Sequence, residues 1–387
     1  MPLYHISPEM KKYLFFLLVC ISCKVFAQAP LQKAWDKIYG GLGVENVLSV
    51  EIVNDNILLF GSSSSNNSFE KSEPSQGLQD YWLLKLDTSG SVIWNKTYGG
   101  NFEDDATRAI DGGWGTYLIG GSSKSAISGD KSFAGKGGYD YWIIRAFEST
   151  GTAFLNQDFG GSNDDVLEDF VTTNDDGVLI AGTSLSGNSG DKNSTCLGSS
   201  DFWIIKTDFY FQQLWQQRFG GTGADRLVKT ARTADGGFLL FGNSYSDAGF
   251  DKSANAYGGS DFWIIKTDSV GNKLWDKTFC GSNDEFAGDI LVMNDGSIYL
   301  AGISFSFLPS GNKTAFNHGS ISNSDFWLVK LDSAGNKLWD KSFGGDLNED
   351  GLTSLLSMQN DLLLCGDRKS TRLNSSHVSE SRMPSSA

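Results

Sequence analysis

Four short acidic turns carry the densest chemistry in this 387-residue chain: SNDD from Ser162, SNDE from Ser282, FEDD from Phe102 and LNED from Leu347. Side-chain oxygens gathered in this way are the donors that calcium takes. The same residue types also close turns by bonding their own backbone, and the spacing of an EF-hand is missing. The expectation is turn chemistry and no cofactor, with calcium as the alternative. Loops carrying SGDK (Ser128, Ser189) and GFDK (Gly249) read as solvated corners rather than a binding code.

Other reactive constellations are scarce. Apart from the leader and tail described below, the chain holds one histidine, His318 in NHGSISNS, which reads as a solvated loop residue. That excludes HExxH and His-rich zinc sites, and a solvated lone histidine argues against a Ser-His-Asp triad. A carboxylate pair for glycoside hydrolysis stays open. Acids that recur in every repeat look structural, however, whereas a catalytic pair should break the repeat. Tryptophan faces can stack on sugars, but most of the tryptophans here recur at a fixed phase and read as core. Trp114 in DGGWGTY differs: it is an insertion at a hairpin tip, with exposure expected. No catalytic, cofactor-binding or metal-ligating residue is assigned.

The elements that must position these residues come from an internal repeat. One phrase recurs as DYWLLK, DYWIIR, DFWIIK, DFWIIK and DFWLVK, anchored by Asp80 and Trp82, Asp140 and Trp142, Asp201 and Trp203, Asp261 and Trp263, and Asp325 and Trp327. A second phrase ending in Gly-Gly recurs around Trp35, Trp94, Leu155, Trp215, Trp275 and Trp339. An acidic turn follows, then a hairpin around NDDG, ADGG or NDG, dipeptides whose turns match strand twist. A loop of about 15 to 20 residues leads to the next D-x-W phrase. Four strands per repeat, two of them without polar alternation, imply sheets covered on both faces. The expected fold is all-β, a β-propeller of four-stranded antiparallel blades, six here and seven as the alternative for a longer chain. A linear β-solenoid is the rival, and hairpin turns argue against it. The long loop is expected to cross between blades, so that a blade runs from D-x-W to the strand ending AGIS. The segment from Trp35 would then supply three strands of a blade lacking its D-x-W strand, and closure would need one more such strand after Gly366.

Composition bounds the cell address. Gly is 46 of 387 residues and aromatics reach 13%, which fits short strands joined by tight turns rather than disorder. Lys11 and Lys12 precede the apolar run Tyr13 to Ser22, and Val25-Phe26-Ala27 offers a cleavage site. Residues 1–27 therefore read as a signal peptide with its true start at Met10, too short to span a bilayer. The expected address is secreted or cell-surface, with no transmembrane segment after cleavage. Residues 367–387 resemble a translated sequencing adapter, DRKSTRLNSSH then SRMPSSA, and are read as a non-native, disordered tail. The repeat domain is thus 28–366. It carries 24 Lys and Arg against 43 Asp and Glu, a net charge of −19 that repels nucleic acid and favours basic partners. Cys196, Cys280 and Cys365 read as small buried residues, not disulfides.

The W-x-K-T-x-G-G, D-G-G and D-x-W-x-x-K phrases from Trp35 to Gly366 resemble those of secreted β-propeller-like proteins of Bacteroidota. Leu155 for Trp and Cys280 for Gly are the clearest departures. The resemblance implies export, commonly with a type IX secretion C-terminal sorting domain, and implies no specific activity. The expected function is a binding or adhesion scaffold with glycan or surface-protein partners and no nucleic acid. The alternatives are a polysaccharide-active enzyme and a calcium-dependent lectin-like propeller.

Overall fold

The computed structural model describes residues 34–346, 348–358, 361–368 and 381–384. The signal peptide and its start at Met10 lie outside the described residues, as do 369–380 and 385–387 of the tail. Residues 34–38 form a separate unit without a strand, in which Trp35 is partly exposed. Everything from Tyr39 onward belongs to the second unit.

That unit is all-β, with no helix among the described residues. Its first sheet is β1 (Glu45–Val53), β2 (Asn56–Ser63), β3 (Asp80–Leu86) and β4 (Val92–Tyr98), ordered as in the chain and antiparallel throughout. The second is β5 (Asp104–Gly113), β6 (Thr116–Ser123), β7 (Asp140–Phe147) and β8 (Ala153–Phe159). The third is β9 (Asp165–Thr172), β10 (Val178–Ser184), β11 (Asp201–Thr207) and β12 (Gln213–Phe219). The fourth is β13 (Asp225–Arg232), β14 (Phe238–Ser244), β15 (Asp261–Thr267) and β16 (Lys273–Phe279). The fifth is β17 (Glu285–Val292), β18 (Ile298–Ser304), β19 (Asp325–Leu331) and β20 (Lys337–Phe343). A last sheet holds β21 (Glu349–Met358), β22 (Asp361–Arg368) and β23 (Ser381–Pro384).

The blade boundary differs from the sequence reading. The long loop stays within one sheet, joining β2 to β3 with Ser63 opposite Asp80, and it does so in every complete sheet. The crossing between sheets is instead the short Gly-Gly acidic turn. The reason is local: the long loop is tied back onto its own sheet by buried side chains described below. The first sheet is therefore complete, and the Trp35 phrase stands outside it. In the other repeats that phrase is a strand because a D-x-W strand precedes and pairs with it, as Lys85 pairs with Trp94. In the last sheet, β23 pairs with Asp361–Leu364 of β22 where other sheets carry D-x-W. An open edge accepts any extended backbone, so the wholly disordered tail expected there does not hold for these four residues, nor for Asp367 and Arg368 at the end of β22.

Side-chain alternation in D-[FY]-W glues neighbouring sheets. The middle aromatic points to the next sheet and the tryptophan back to the previous one. Tyr81 meets Trp142 at 5.0 Å, Tyr141 meets Trp203 at 5.1 Å, Phe202 meets Trp263 at 5.1 Å and Phe262 meets Trp327 at 5.0 Å between ring centroids. Each pair contributes about 0.5–1.5 kcal/mol beyond the area it buries. Ser62, Ser122 and Thr183 hydroxyls each accept a backbone N–H from the next sheet's first strand, at Ala106, Leu167 and Leu227. One cleft is lined by Glu51, Arg108, Val171 and Arg232, from the first four sheets, so the array curves around a common axis. This is the construction of a β-propeller.

Candidate functional site

The repeat anchors form a hydrogen-bonded frame. Trp142, Trp203, Trp263 and Trp327 are fully buried and Trp82 nearly so; Trp94, Trp215, Trp275 and Trp339 are half-buried on the outer strands. Each buried indole N–H donates to the residue after the outer-strand anchor: Asn95, Asn156, Gln216, Asp276 and Asp340, at 3.0–3.3 Å. Those acceptors also take the backbone N–H of Ser72, Ser132, Asn193, Ser253 and Thr314 in the long loops. The loops are thereby folded onto their sheets.

The lysine just before each of those loop residues is buried, which corrects the reading of SGDK and GFDK as solvated corners. Lys71, Lys131, Lys192, Lys252 and Lys313 are at most 2% exposed. Lys131 pairs with Asp158 at 2.6 Å, while Lys192 and Lys252 donate to the carbonyls of Ser186 and Ser246 at 2.7 Å. Asp140, Asp201, Asp261 and Asp325, buried at the head of each D-x-W strand, accept backbone N–H bonds from Lys136, Leu197, Tyr257 and His318. His318 also brings Nδ1 to 2.8 Å from Asp325, so the loop histidine is half-exposed yet bonded.

Burial pushes the carboxyls of Asp80 and Asp261 up to about 7 and the Lys71 and Lys313 ammonium groups down to about 8. An unfolded carboxyl titrates near 4, so between about pH 4 and 7 the native state holds protons that the unfolded chain releases. Stability therefore falls as pH rises through that window. Above pH 8 the native lysines have lost protons that the unfolded chain keeps, and stability recovers. Below about pH 4 the account reverses for Asp235 and Asp340, held at about 2 against burial by Thr233 and Lys266, and by Lys337 and Thr314. The melting temperature is expected to be higher at pH 5 than at pH 7.5; a profile that rises over this interval contradicts the assignment.

The acidic turns are spent on the backbone. Asp104, Asp165 and Asp225 each accept the N–H of the second glycine of Gly-Gly, at Gly100, Gly161 and Gly221, and a serine hydroxyl at Ser125, Ser186 and Ser246. Glu285 does the same with Gly281 and Ser306. No three Asp, Glu, His or Cys side chains converge on a point among the described residues. Cys280 is buried at a Gly-Gly position, while Cys196 and Cys365 are half-buried rather than fully so; Cys196 and Cys280 are free thiols.

Two features depart from the frame, and both sit where the repeat is broken. The first is axial. Ser49, Arg108, Asp169, Lys229, Asp289 and Ser354 occupy one phase beside the bulge of each sheet's first strand, opposite Phe60, Gly120, Ala181, Phe241, Ala301 and Cys365. Arg108 reaches Asp169 at 3.0 Å and Glu51 at 2.9 Å. Burial opposes the guanidinium charge, but these two carboxylates outweigh it and raise its pKa. Asp289 is pushed up by burial and accepts the Leu355 N–H at 2.7 Å. A cleft of about 400 Å³ beside Arg108 includes Asp111 and Arg232. Sequence reasoning missed these residues; the signal was a strand position whose charge changes from repeat to repeat.

The second feature is a face at the hairpin tips of sheets two and three. Trp114, flanked by Gly113 and Gly115, sits at φ 55° and is 78% exposed. Phe147 stacks on Phe154 at 4.4 Å, and both rings are partly exposed. The β11–β12 turn reads DFYFQ where later repeats read DSVGN and DSAGN, and it holds Tyr210 66% exposed. Phe209 lies over the buried Arg145 guanidinium at 3.9 Å. Glu148 ties the face to the first sheet through Lys85 and Asn54.

Comparisons with known proteins follow the fold. No protein-family model matches the chain. A 117-residue stretch is 30% identical to the regulatory protein FlaEY of Caulobacter vibrioides, covering 29% of this chain and 12% of that protein. The chain thus spans about an eighth of that relative's length. Similar solved structures include Kuenenia stuttgartiensis hydrazine synthase (TM-score 0.45, 7% identity, 81% of this chain and 70% of that one). YCF48 bound to D1 peptide gives 0.39 at 12% identity over 87% and 94% of the two chains. The GH43_1 enzyme from Xanthomonas citri gives 0.38 at 8% identity over 79% and 95%. What each of those names describes belongs to that protein; the present chain is an all-β, propeller-type repeat protein.

Proposed function

We propose that this protein is a secreted or cell-surface binding scaffold whose working surface is the tip face around Trp114. The observation that carries this reading is that residues breaking the repeat, Trp114, Phe147, Phe154, Phe209 and Tyr210, gather at one end of two adjacent sheets. Exposed aromatic groups of this size mark interaction sites on soluble proteins. The leader at 1–27 supports export, and the acidic surface supports a partner other than nucleic acid. Among the described residues no helix is long and apolar enough to cross a membrane.

Immobilised mature protein presented with panels of glycans and peptides should show saturable binding that Trp114→Ala with Tyr210→Ala reduces. Because both side chains are exposed, the variant should melt within about 2 °C of the parent. Release of reducing sugar would instead favour a polysaccharide-active enzyme built on the axial acids. No cofactor is expected: melting in excess EDTA should match melting in calcium, and a lower temperature in EDTA would assign calcium to the acidic turns.

A further inference from the structure

Resting on that reading of the tip face, we propose that its ligand is a basic peptide segment whose arginine or lysine side chains lie over the exposed rings of Trp114 and Tyr210. The strand ends that carry those rings also carry exposed acceptors. Asp55, Asp111 and Asp176 are exposed carboxylates at the tips of the first three sheets. Three cations of the same strand ends are turned inward, Lys85 onto Glu148, Arg145 onto the Gly112 carbonyl and Lys206 onto Asp175, while Arg232 stays exposed in the cleft beside Asp111. Arginine and lysine are donors only, so they match such acceptors, whereas sugar hydroxyls would also need donors from the protein. The net charge of −19 in the repeat domain steers the same class of partner and repels polyanions. Phe209 already takes a guanidinium on its inner side at 3.9 Å, the arrangement proposed for the outer rings.

Hexa-arginine, hexaglutamate and cellohexaose, titrated calorimetrically into the mature full chain at physiological salt, test this. Hexa-arginine should bind, and Trp114→Ala with Tyr210→Ala should weaken it about tenfold, as loss of cation–π contacts predicts. Trp114→Phe, which keeps a ring, should restore part of the affinity. Equal binding to parent and double variant would mean charge alone and would overturn the proposal. Binding of cellohexaose in place of hexa-arginine, lost in the same variant, would overturn the basic ligand and leave the tip face standing as a binding surface. Binding of neither probe also overturns the proposal, and the panel experiment then judges the tip face independently.

Discussion

Gly182→Ala is expected to cost more than about 4 kcal/mol, enough to prevent folding at 37 °C in an ordinary domain. A Cβ at this position would stand 2.1 Å from the Val166 carbonyl oxygen and 2.6 Å from the Tyr141 hydroxyl. Neither neighbour can yield. Val166 lies in the β9–β10 ladder beside its bulge, and Tyr141 is fixed by donating to the Trp203 carbonyl at 3.2 Å. The same approach recurs at Gly61, Gly121, Gly242 and Gly302, where the Cβ would come 1.7–2.2 Å from a carbonyl oxygen. The glycine is therefore set by how closely two strands meet at the bulge. Gly187→Ala is the matched control, because a Cβ there meets nothing within 4 Å. Urea denaturation of both variants checks the contrast; a Gly182→Ala midpoint equal to that of the parent would refute the packing argument.

Trp203→Ala should destabilise by about 3–5 kcal/mol, the range for truncating a fully buried large aromatic. Trp203 is fully buried, faces Tyr141 across the sheet interface at 5.1 Å and donates its indole N–H to Gln216 at 3.0 Å. Its loss opens a cavity between sheets two and three and removes half of the interface's aromatic pair. Gln216 retains the Asn193 N–H, so no acceptor is wholly orphaned and the cavity dominates the cost. Trp203→Phe should recover much of the loss, whereas a Trp203→Ala effect under about 1 kcal/mol would place the tryptophan outside the core.

Much of this fold was legible because the repeat exposes phase. Five D-x-W phrases at spacings of 60, 61, 60 and 64 residues made the strands, hairpins and all-β class readable. The blade boundary was misplaced because loop length was taken as a measure of distance crossed. Gly99 to Glu103 suffices to cross between sheets, while the longer loop doubles back around Lys71. Buried lysines were unreadable as such, since Gly-Asp-Lys is ordinary surface composition and the groups that hold that loop inward, Trp82, Asn95 and Thr97, come from other strands. Trp114 was visible as an insertion. Its neighbours were not, because Phe147, Phe154 and Tyr210 come from two different turns that meet only in three dimensions. The axial ring was missed for a related reason: Arg108 and Asp169 lie 61 residues apart and look unremarkable within each repeat.

The most direct test of the account is an amide hydrogen-exchange footprint of hexa-arginine on the mature protein. The account predicts protection confined to the turns at 112–115, 147–152 and 208–212, with the long loops at the opposite end unchanged. Protection centred on the axial cleft at Glu51, Arg108 and Arg232, or spread evenly over the acidic surface, would contradict it.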